Sequence, residues 1–204
     1  MAGLQIRIEL EELGVWRRLI VPSQLSFHAL HHVIMSAMGW GDAHLYQFEL
    51  EHKNLMLLFD QEEIDQMKEL EDFTMHFPGM ENHAIRQVDY RLSQNEIITD
   101  YLSFAHDVTY IYDLGDYWKH RIVLEKYVPN YRKTYPICVY AHGVCPPEDC
   151  GGVGGYLELL EVLKDPNDEE FDSVFDWLNG MEYNSDLNIK EINKTLAKVC
   201  KGLD

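Results

Sequence analysis

The residues most able to do chemistry gather in two stretches. Asp113, Asp116, Trp118 and His120 border one turn, within Asp113-Leu114-Gly115-Asp116-Tyr117-Trp118-Lys119-His120. Cys138, His142, Cys145, Glu148, Asp149 and Cys150 crowd a second stretch, and Tyr156 follows it after a glycine run. His142-x2-Cys145-x4-Cys150 approximates zinc-ligand spacing, with Cys138 or His120 as a fourth ligand. The spacing is irregular, however, and no Cys-x-x-Cys occurs, so buried free thiols are the preferred reading and zinc the alternative. The stretch then reads as a polar knot that needs no cofactor. Glu148 and Asp149 accept backbone N–H bonds around the glycine-rich turn, and Pro146-Pro147 stiffen the approach. His120 shares a strand face with Trp118, Ile122 and Leu124, so it points into the core, held by a hydrogen bond near Asp113 or Asp116.

Other constellations are weaker. Gly151-Gly152-Val153-Gly154-Gly155 fits neither Gly-x-Gly-x-x-Gly nor the Walker pattern, and adjacent Glu148 and Asp149 repel a phosphate. His28 and His32 stand one helical turn apart, a spacing that suits a metal, but no acidic third ligand is evident; His31 edges the core. Asp165-Pro166-Asn167-Asp168-Glu169-Glu170 lacks the glycine of a calcium loop. No Gly-x-Ser-x-Gly elbow occurs. The sequence therefore names no catalytic residue.

The elements that position these groups can be read from periodicity. Leu4, Ile6, Ile8 and Leu10 alternate with polar residues, and Val15 to Val21 returns as a second strand before Pro22, a hairpin. Ser26 is a plausible N-cap for a helix whose Leu30, Val33, Ile34, Ala37 and Met38 share one face. Leu25 and Leu30 form a staple, and Gly39 ends it. His44 to Leu50 alternates, with Asn54 to Phe59 as its hairpin partner. Gln61 to Asp72 turns strongly acidic with a thin apolar stripe and reads as a solvated surface insertion. Val88 to Leu92 is a short strand, and Ser93-x-x-Glu96 a capping box for a short helix. Val108 to Tyr112 and Trp118 to Leu124 make a second hairpin. Pro129 to Gly155 has no period of its own. Helices follow at Tyr156 to Leu163, at Phe171 to Leu178 and from Ile189 to Val199.

The chain has 204 residues, 46% hydrophobic and 25% charged, with 17 Lys and Arg against 35 Asp and Glu, a formal net charge of −18. So acidic a surface repels phosphate backbones, which disfavours non-specific nucleic-acid binding and anionic membranes. Paired Arg17-Arg18 in such a chain are expected to hold carboxylates of the same chain. The longest apolar run, about Leu55 to Phe59, is far short of the ~18 residues of a membrane span. The opening residues alternate instead of forming a signal peptide. A cytoplasmic location follows as an expectation, with Cys138, Cys145, Cys150 and Cys200 reduced.

Three ordered blocks resemble the plasmid pRiA4b ORF-3-like family. The first runs Val15-Trp16-Arg17-Arg18, Val21-Pro22, Leu30-His31, Ile34, Met38-Gly39-Trp40, His44-Leu45 and Phe48. The second is Tyr112 to His120. The third is Tyr135-Pro136, Cys138, Cys145-Pro146-Pro147-Glu148-Asp149-Cys150-Gly151-Gly152 and Gly155-Tyr156, with Trp177-Leu178 beyond. Leu114 stands where that family usually has Phe, Gly154 stands where a bulkier residue is common, and the acidic segment at about 51–87 has no counterpart. The resemblance implies an α+β fold and, in some members, association with plasmids and mobile elements. It brings no established activity.

The expected architecture is α+β: a mostly antiparallel sheet from two hairpins, one helix packed on it, and a helical section from about 156, all in one domain over 1–204. Its opening hairpin, helix and strand are β-grasp-like, by analogy alone. The expected function is a non-enzymatic binding or interaction module for a protein or small molecule. Its ligand surface is the cleft between the Asp113–His120 hairpin and the Cys145–Tyr156 loop, with Asp113, Asp116, Trp118, His120, Glu148, Asp149 and Tyr156 as contacts. The alternative is a metal-dependent hydrolase using Asp113, Asp116, His120 and Glu148.

Overall fold

A computed structural model of the chain describes residues 2–75, 88–180 and 187–199. Cys200 and the end of the acidic segment lie outside the described residues. An 8-stranded sheet is ordered β5-β4-β3-β6-β7-β1-β2-β8. The strands are β1 (Gly3–Leu10), β2 (Val15–Pro22), β3 (Tyr46–Leu50), β4 (Leu55–Leu58), β5 (Asp89–Leu92), β6 (Val108–Tyr112), β7 (Trp118–Val128) and β8 (Ile137–His142). All pairs are antiparallel except β4 with β5. The exception has a cause: α2 (Gln61–Met75) lies in the connection, and parallel neighbours need such a crossover. The α+β fold read from the sequence is the fold observed.

Both hairpins form as their alternation predicts. Leu4, Ile6, Ile8 and Leu10 are buried, as are Trp118, His120, Ile122 and Leu124. Helix α1 (Phe27–Met38) lies on that inner face and starts and stops as expected. The Ser26 side chain accepts from Ala29 N, and Gly39 ends the helix at φ 97°. Two sheet irregularities aim side chains outward. Ile6 pairs Leu124 and Gln5 pairs Lys126, so Glu125 is an extra residue; Val139 is the corresponding extra residue in β8.

Three expectations need correction. The Pro-, Gly- and Cys-rich stretch contains a strand, β8, at the sheet edge. Its pairing with β2 places it, while its own alternation is broken by Val139. Helix α3 (Gly152–Val162) begins four residues before Tyr156, entered through Gly151 and Gly152 at φ 87° and 68°, a start made by glycines that carry no apolar period. Ser93 caps no α-helix; short 3₁₀ turns occur, and the buried Ser93 hydroxyl bonds Tyr46 instead. Within the acidic segment, Ile64 is buried and most of the other described side chains of α2 are exposed or half-exposed.

Helices α4 (Phe171–Gly180) and α5 (Ile189–Val199) complete the helical end. α5 packs on α1 and on β8. The Asn193 side chain accepts from Cys138 N at 2.8 Å and donates to Cys138 O at 2.9 Å, so an amide occupies the edge strand as a neighbouring strand would.

Candidate functional site

The segment between α1 and β3, residues 39–45, crosses the end of the inner face as a strap tied at nearly every residue. Gly39 N and Trp40 N donate to Met35 O. The Trp40 indole donates to Pro146 O at 2.9 Å, and Gly41 N donates to Glu148 Oε2 at 2.6 Å. Asp42 faces His31 and His32, and Ala43 N donates to the Tyr112 hydroxyl at 3.0 Å. Leu45 O receives Asp113 N at 2.9 Å. Two other loops come up against this strap.

One is the β6–β7 turn. Asp113 has φ 58°, and its Oδ1 accepts from Gly115 N and Asp116 N, closing an Asx turn. The other is the loop 143–152. Asp116 Oδ2 accepts from Gly151 N at 3.2 Å. A Cβ on Gly152, at φ 68°, would stand 2.5 Å from Asp116 O, and one on Gly155 would overlap Cys150 O. The glycine run therefore lets the helix start press on the hairpin turn. Glu148 is fully used, since its Oε1 accepts from the Tyr112 hydroxyl at 2.5 Å. Burial, then the Glu148 carboxylate, pushes the Tyr112 hydroxyl far up, so it stays a donor.

His44 sits where the three loops meet. Its Nε2 lies 3.2 Å from Asp149 Oδ1 and 3.7 Å from Asp113 Oδ2. The atom is sealed from solvent and makes no hydrogen bond among the described residues. Asp149, 65% exposed at its side chain and held at φ 58°, is the open side of the trio. The three ligand atoms lie within 4.8 Å of one another.

Residues 1–191 match the family described as plasmid pRiA4b ORF-3-like protein. The chain belongs to that family. It is 31% identical to the uncharacterized protein y4hQ of Sinorhizobium fredii (strain NBRC 101917 / NGR234) over 195 residues, 95% of this chain and 89% of that one. The crystal structure of the protein of unknown function MM3350 from Methanosarcina mazei Go1 superposes with a TM-score of 0.72. That comparison has 27% identity and covers 93% of this chain and 97% of the other. In this pRiA4b ORF-3-like chain, the three blocks that carry the family resemblance are the ones that meet at the strap.

The expected contact residues divide into two groups. Asp113, Asp116, Glu148 and Asp149 come together at this seam, whereas Trp118 and His120 are sealed beneath it at 0% exposure. His120 Nδ1 bonds Trp118 O at 2.9 Å, not Asp113 or Asp116, and its ring meets Trp40 edge-on. Burial lowers His120 to about 4, so it stays neutral. Tyr156 is buried in the first turns of α3. Glu148 accepts from Gly41 N rather than from the glycine run, where Asp116 takes that role.

The structure does not gather the ligands of the zinc alternative. Among the described residues, the groups of three or more that could hold a metal include none of Cys138, His142, Cys145 and Cys150. The Cys138 thiol bonds Tyr140 O, and the exposed His142 ring lies beside Trp16. Burial raises all three described thiols, Cys150 to about 12, which keeps them protonated. Arg17 is 2% exposed and holds carbonyls, not carboxylates: Ala37 O, Trp16 O, His142 O and Gly143 O. Arg18 alone behaves as expected, gripping Glu125 with two bonds.

Sequence reasoning missed His44 as a site residue, and missed Asp42 as the acidic partner of the α1 histidines. Asp42 occupies one position in a stretch without period, and His44 opens a run that alternates as a strand. The available signal was Gly41 after Trp40, where a Cβ would stand 3.0 Å from Glu148 Oε2, the mark of a chain that passes close to another loop.

Proposed function

We propose that the chain is a binding module whose site is the seam of strap, β6–β7 turn and loop 143–152. The ligand is a divalent cation held by His44 Nε2, Asp113 Oδ2 and Asp149 Oδ1. One observation carries this reading: an imidazole nitrogen closed to solvent, without a hydrogen bond, faces two carboxylate oxygens. A buried polar atom normally finds a partner, and a cation would satisfy all three groups at once. The net charge of −18 favours cations at the surface generally. Service to a plasmid or mobile-element system, as the family's name suggests, belongs to the same proposal, with the partner a protein or small molecule.

The test is Mn2+ titration of the full chain by calorimetry. Asp149→Asn and His44→Gln are each expected to weaken binding at least tenfold, the scale on which ligand-shell changes act. Asn tolerates the left-handed backbone of position 149, so the first variant isolates the charge. Wild-type affinity in both variants would overturn the reading.

A second reading, a metal-dependent hydrolase, is favoured by the exposure of Asp149. Three protein donors with one side open leave positions for water on a bound cation. Of the residues first considered for such chemistry, Asp113 alone keeps a role, because Glu148 and Asp116 hold backbone or hydroxyl groups and His120 is sealed in the core. Mn2+-dependent turnover of a chromogenic phosphoester that disappears in Asp149→Asn would favour this reading over simple binding.

A further inference from the structure

Two histidines of α1 converge on one carboxylate, and a third stands behind them. Asp42 Oδ1 lies 2.6 Å from His31 Nε2, and Asp42 Oδ2 lies 2.9 Å from His32 Nδ1. His28 Nε2 lies 3.2 Å from His32 Nε2. Asp42 reaches them from the strap with its backbone at φ 64°, a conformation uncommon outside glycine and tolerated best by Asp and Asn. Spacing alone explains part of this. Residues 28 and 32 share a helix face, and 31 and 32 flank the point where the strap passes over.

What distinguishes the cluster is the shell behind it. The His31 nitrogen turned away from Asp42, Nδ1, is held by the Tyr110 hydroxyl at 2.7 Å; that of His32 meets His28, whose own Nδ1 is held by the Tyr46 hydroxyl at 2.8 Å. Tyr46 is in turn bonded to the fully buried Ser93 hydroxyl at 2.8 Å. The His31 ring lies flat on Tyr46, centroids 3.7 Å apart and planes 11° off parallel, so its orientation is fixed. Metal-binding histidines have this construction, with the second ring nitrogen engaged so that tautomer and direction are set. Hydroxyls both donate and accept, so they can support His31 with the proton on either nitrogen.

We infer that His31 Nε2, His32 Nδ1 and Asp42 form a second cation site, for a transition metal of the zinc, nickel or cobalt kind. His28 orients His32 from behind, and Tyr110 orients His31. Two imidazoles with one carboxylate suit these ions better than magnesium or calcium, which prefer all-oxygen shells. The side chains of His32 and Asp42 are 27% and 34% exposed, so the site opens to solvent on that side. This inference does not rest on the seam reading, since the two donor sets share no residue. They are joined through the strap, two residues apart at Asp42 and His44.

The experiment titrates Zn2+ into the full-length chain, with Co2+ as a spectroscopic probe. Compared are wild type, Asp42→Asn, His32→Gln and Asp149→Asn, each first checked for a wild-type-like melting curve. Asn fits the left-handed backbone at 42, and position 32 is part-exposed, so both variants are expected to fold. Wild type is expected to bind one equivalent that Asp42→Asn and His32→Gln each weaken at least tenfold and Asp149→Asn leaves intact. The Co2+ spectrum of that equivalent should lack thiolate charge-transfer bands, excluding the three described cysteines as its source. Tyr110→Phe, which removes only the supporting hydroxyl, should weaken the same equivalent without abolishing it. Unchanged Zn2+ affinity in both Asp42→Asn and His32→Gln would overturn the inference, as would an equivalent carrying thiolate bands. Loss confined to Asp149→Asn would likewise overturn it while upholding the seam site.

Discussion

Arg17 and Arg18 are neighbours in β2 and face opposite ways. Arg17 points into the inner face at 2% exposure and donates to four backbone carbonyls. One of them, Ala37 O, belongs to the last turn of α1, where unpaired carbonyls and the negative end of the helix dipole favour a cation. Arg18 points outward, grips Glu125 and lies over Trp16 at 5.2 Å. The two faces of the sheet thus use the same residue type differently. On the inner face a polar side chain, itself 2% exposed, ties separate segments together. On the outer face it makes a charge pair that water competes with. The candidate sites lie at the rim of the inner face, where ties end and solvent begins.

The largest effect is expected from removing an inner-face tie. Arg17→Ala should cost on the order of 3–5 kcal/mol, given about 1–3 for each buried carbonyl left without a donor. Chemical denaturation measures it. A loss under about 1 kcal/mol would mean that water reaches those carbonyls and that the faces do not differ in kind. Next comes His120→Ala, at roughly 2–4 kcal/mol, for a cavity beside Trp40 and Tyr110 and an unpaired Trp118 carbonyl. Cation binding at either candidate site should survive it. Loss of a bound cation with little loss of stability would return His120 to the list of functional residues.

This division also explains what could be read in advance. Alternation in β1, β2, β6 and β7 told which side chains point inward, including His120, because period two is a local property. The caps at Ser26 and Gly39 were legible for the same reason. The partners were not. Whether an inward arginine meets a carboxylate or a carbonyl depends on β8 and α1 arriving beside it, from sequence positions more than a hundred residues apart in the case of His142 and Gly143. Asp113 and Asp149 were singled out as polar residues near turns, and the residue joining them, His44, was read only as the start of a strand. Asp42 was missed because its partners lie on a helix that ended before it. The preference for free thiols over zinc rested on irregular spacing, and among the described residues no candidate metal group includes a cysteine.

Acid should distinguish the faces next. His120 is held at about 4 when folded, against 6.5 when unfolded. Its neutral form is the one the fold accepts, so its contribution is complete above pH 6.5. As pH falls from 6.5 toward 4, the unfolded chain takes a proton that the folded chain refuses. Stability then drops by up to ~1.4 kcal/mol per pH unit for this group. His31, also lowered to about 4, adds to the same window. Melting curves between pH 7 and 4.5 should be less pH-dependent in His120→Gln by one proton's worth. An identical slope would show that His120 charges freely in the fold.

The smallest effect is expected on the outer face. Arg18 and Glu125 are joined by bonds of 2.5 and 2.8 Å, and Gln5 adds a third to the same carboxylate at 3.0 Å. The extra residue in β7 is what turns Glu125 toward them. Despite that geometry, the side chains keep 33% and 20% of their exposure, so solvent screens the pair. A double-mutant cycle of Arg18→Ala and Glu125→Ala should give a coupling of about 0.2–1 kcal/mol. The coupling should fall between 0.05 and 0.5 M salt, on the order of the Debye screening expected there. Arg17→Ala should show no such salt dependence, because uncharged carbonyls and not a counter-charge hold Arg17. A coupling of several kcal/mol for the outer pair, or a salt-sensitive loss for Arg17, would break the contrast between two adjacent residues on which the reading of both faces depends.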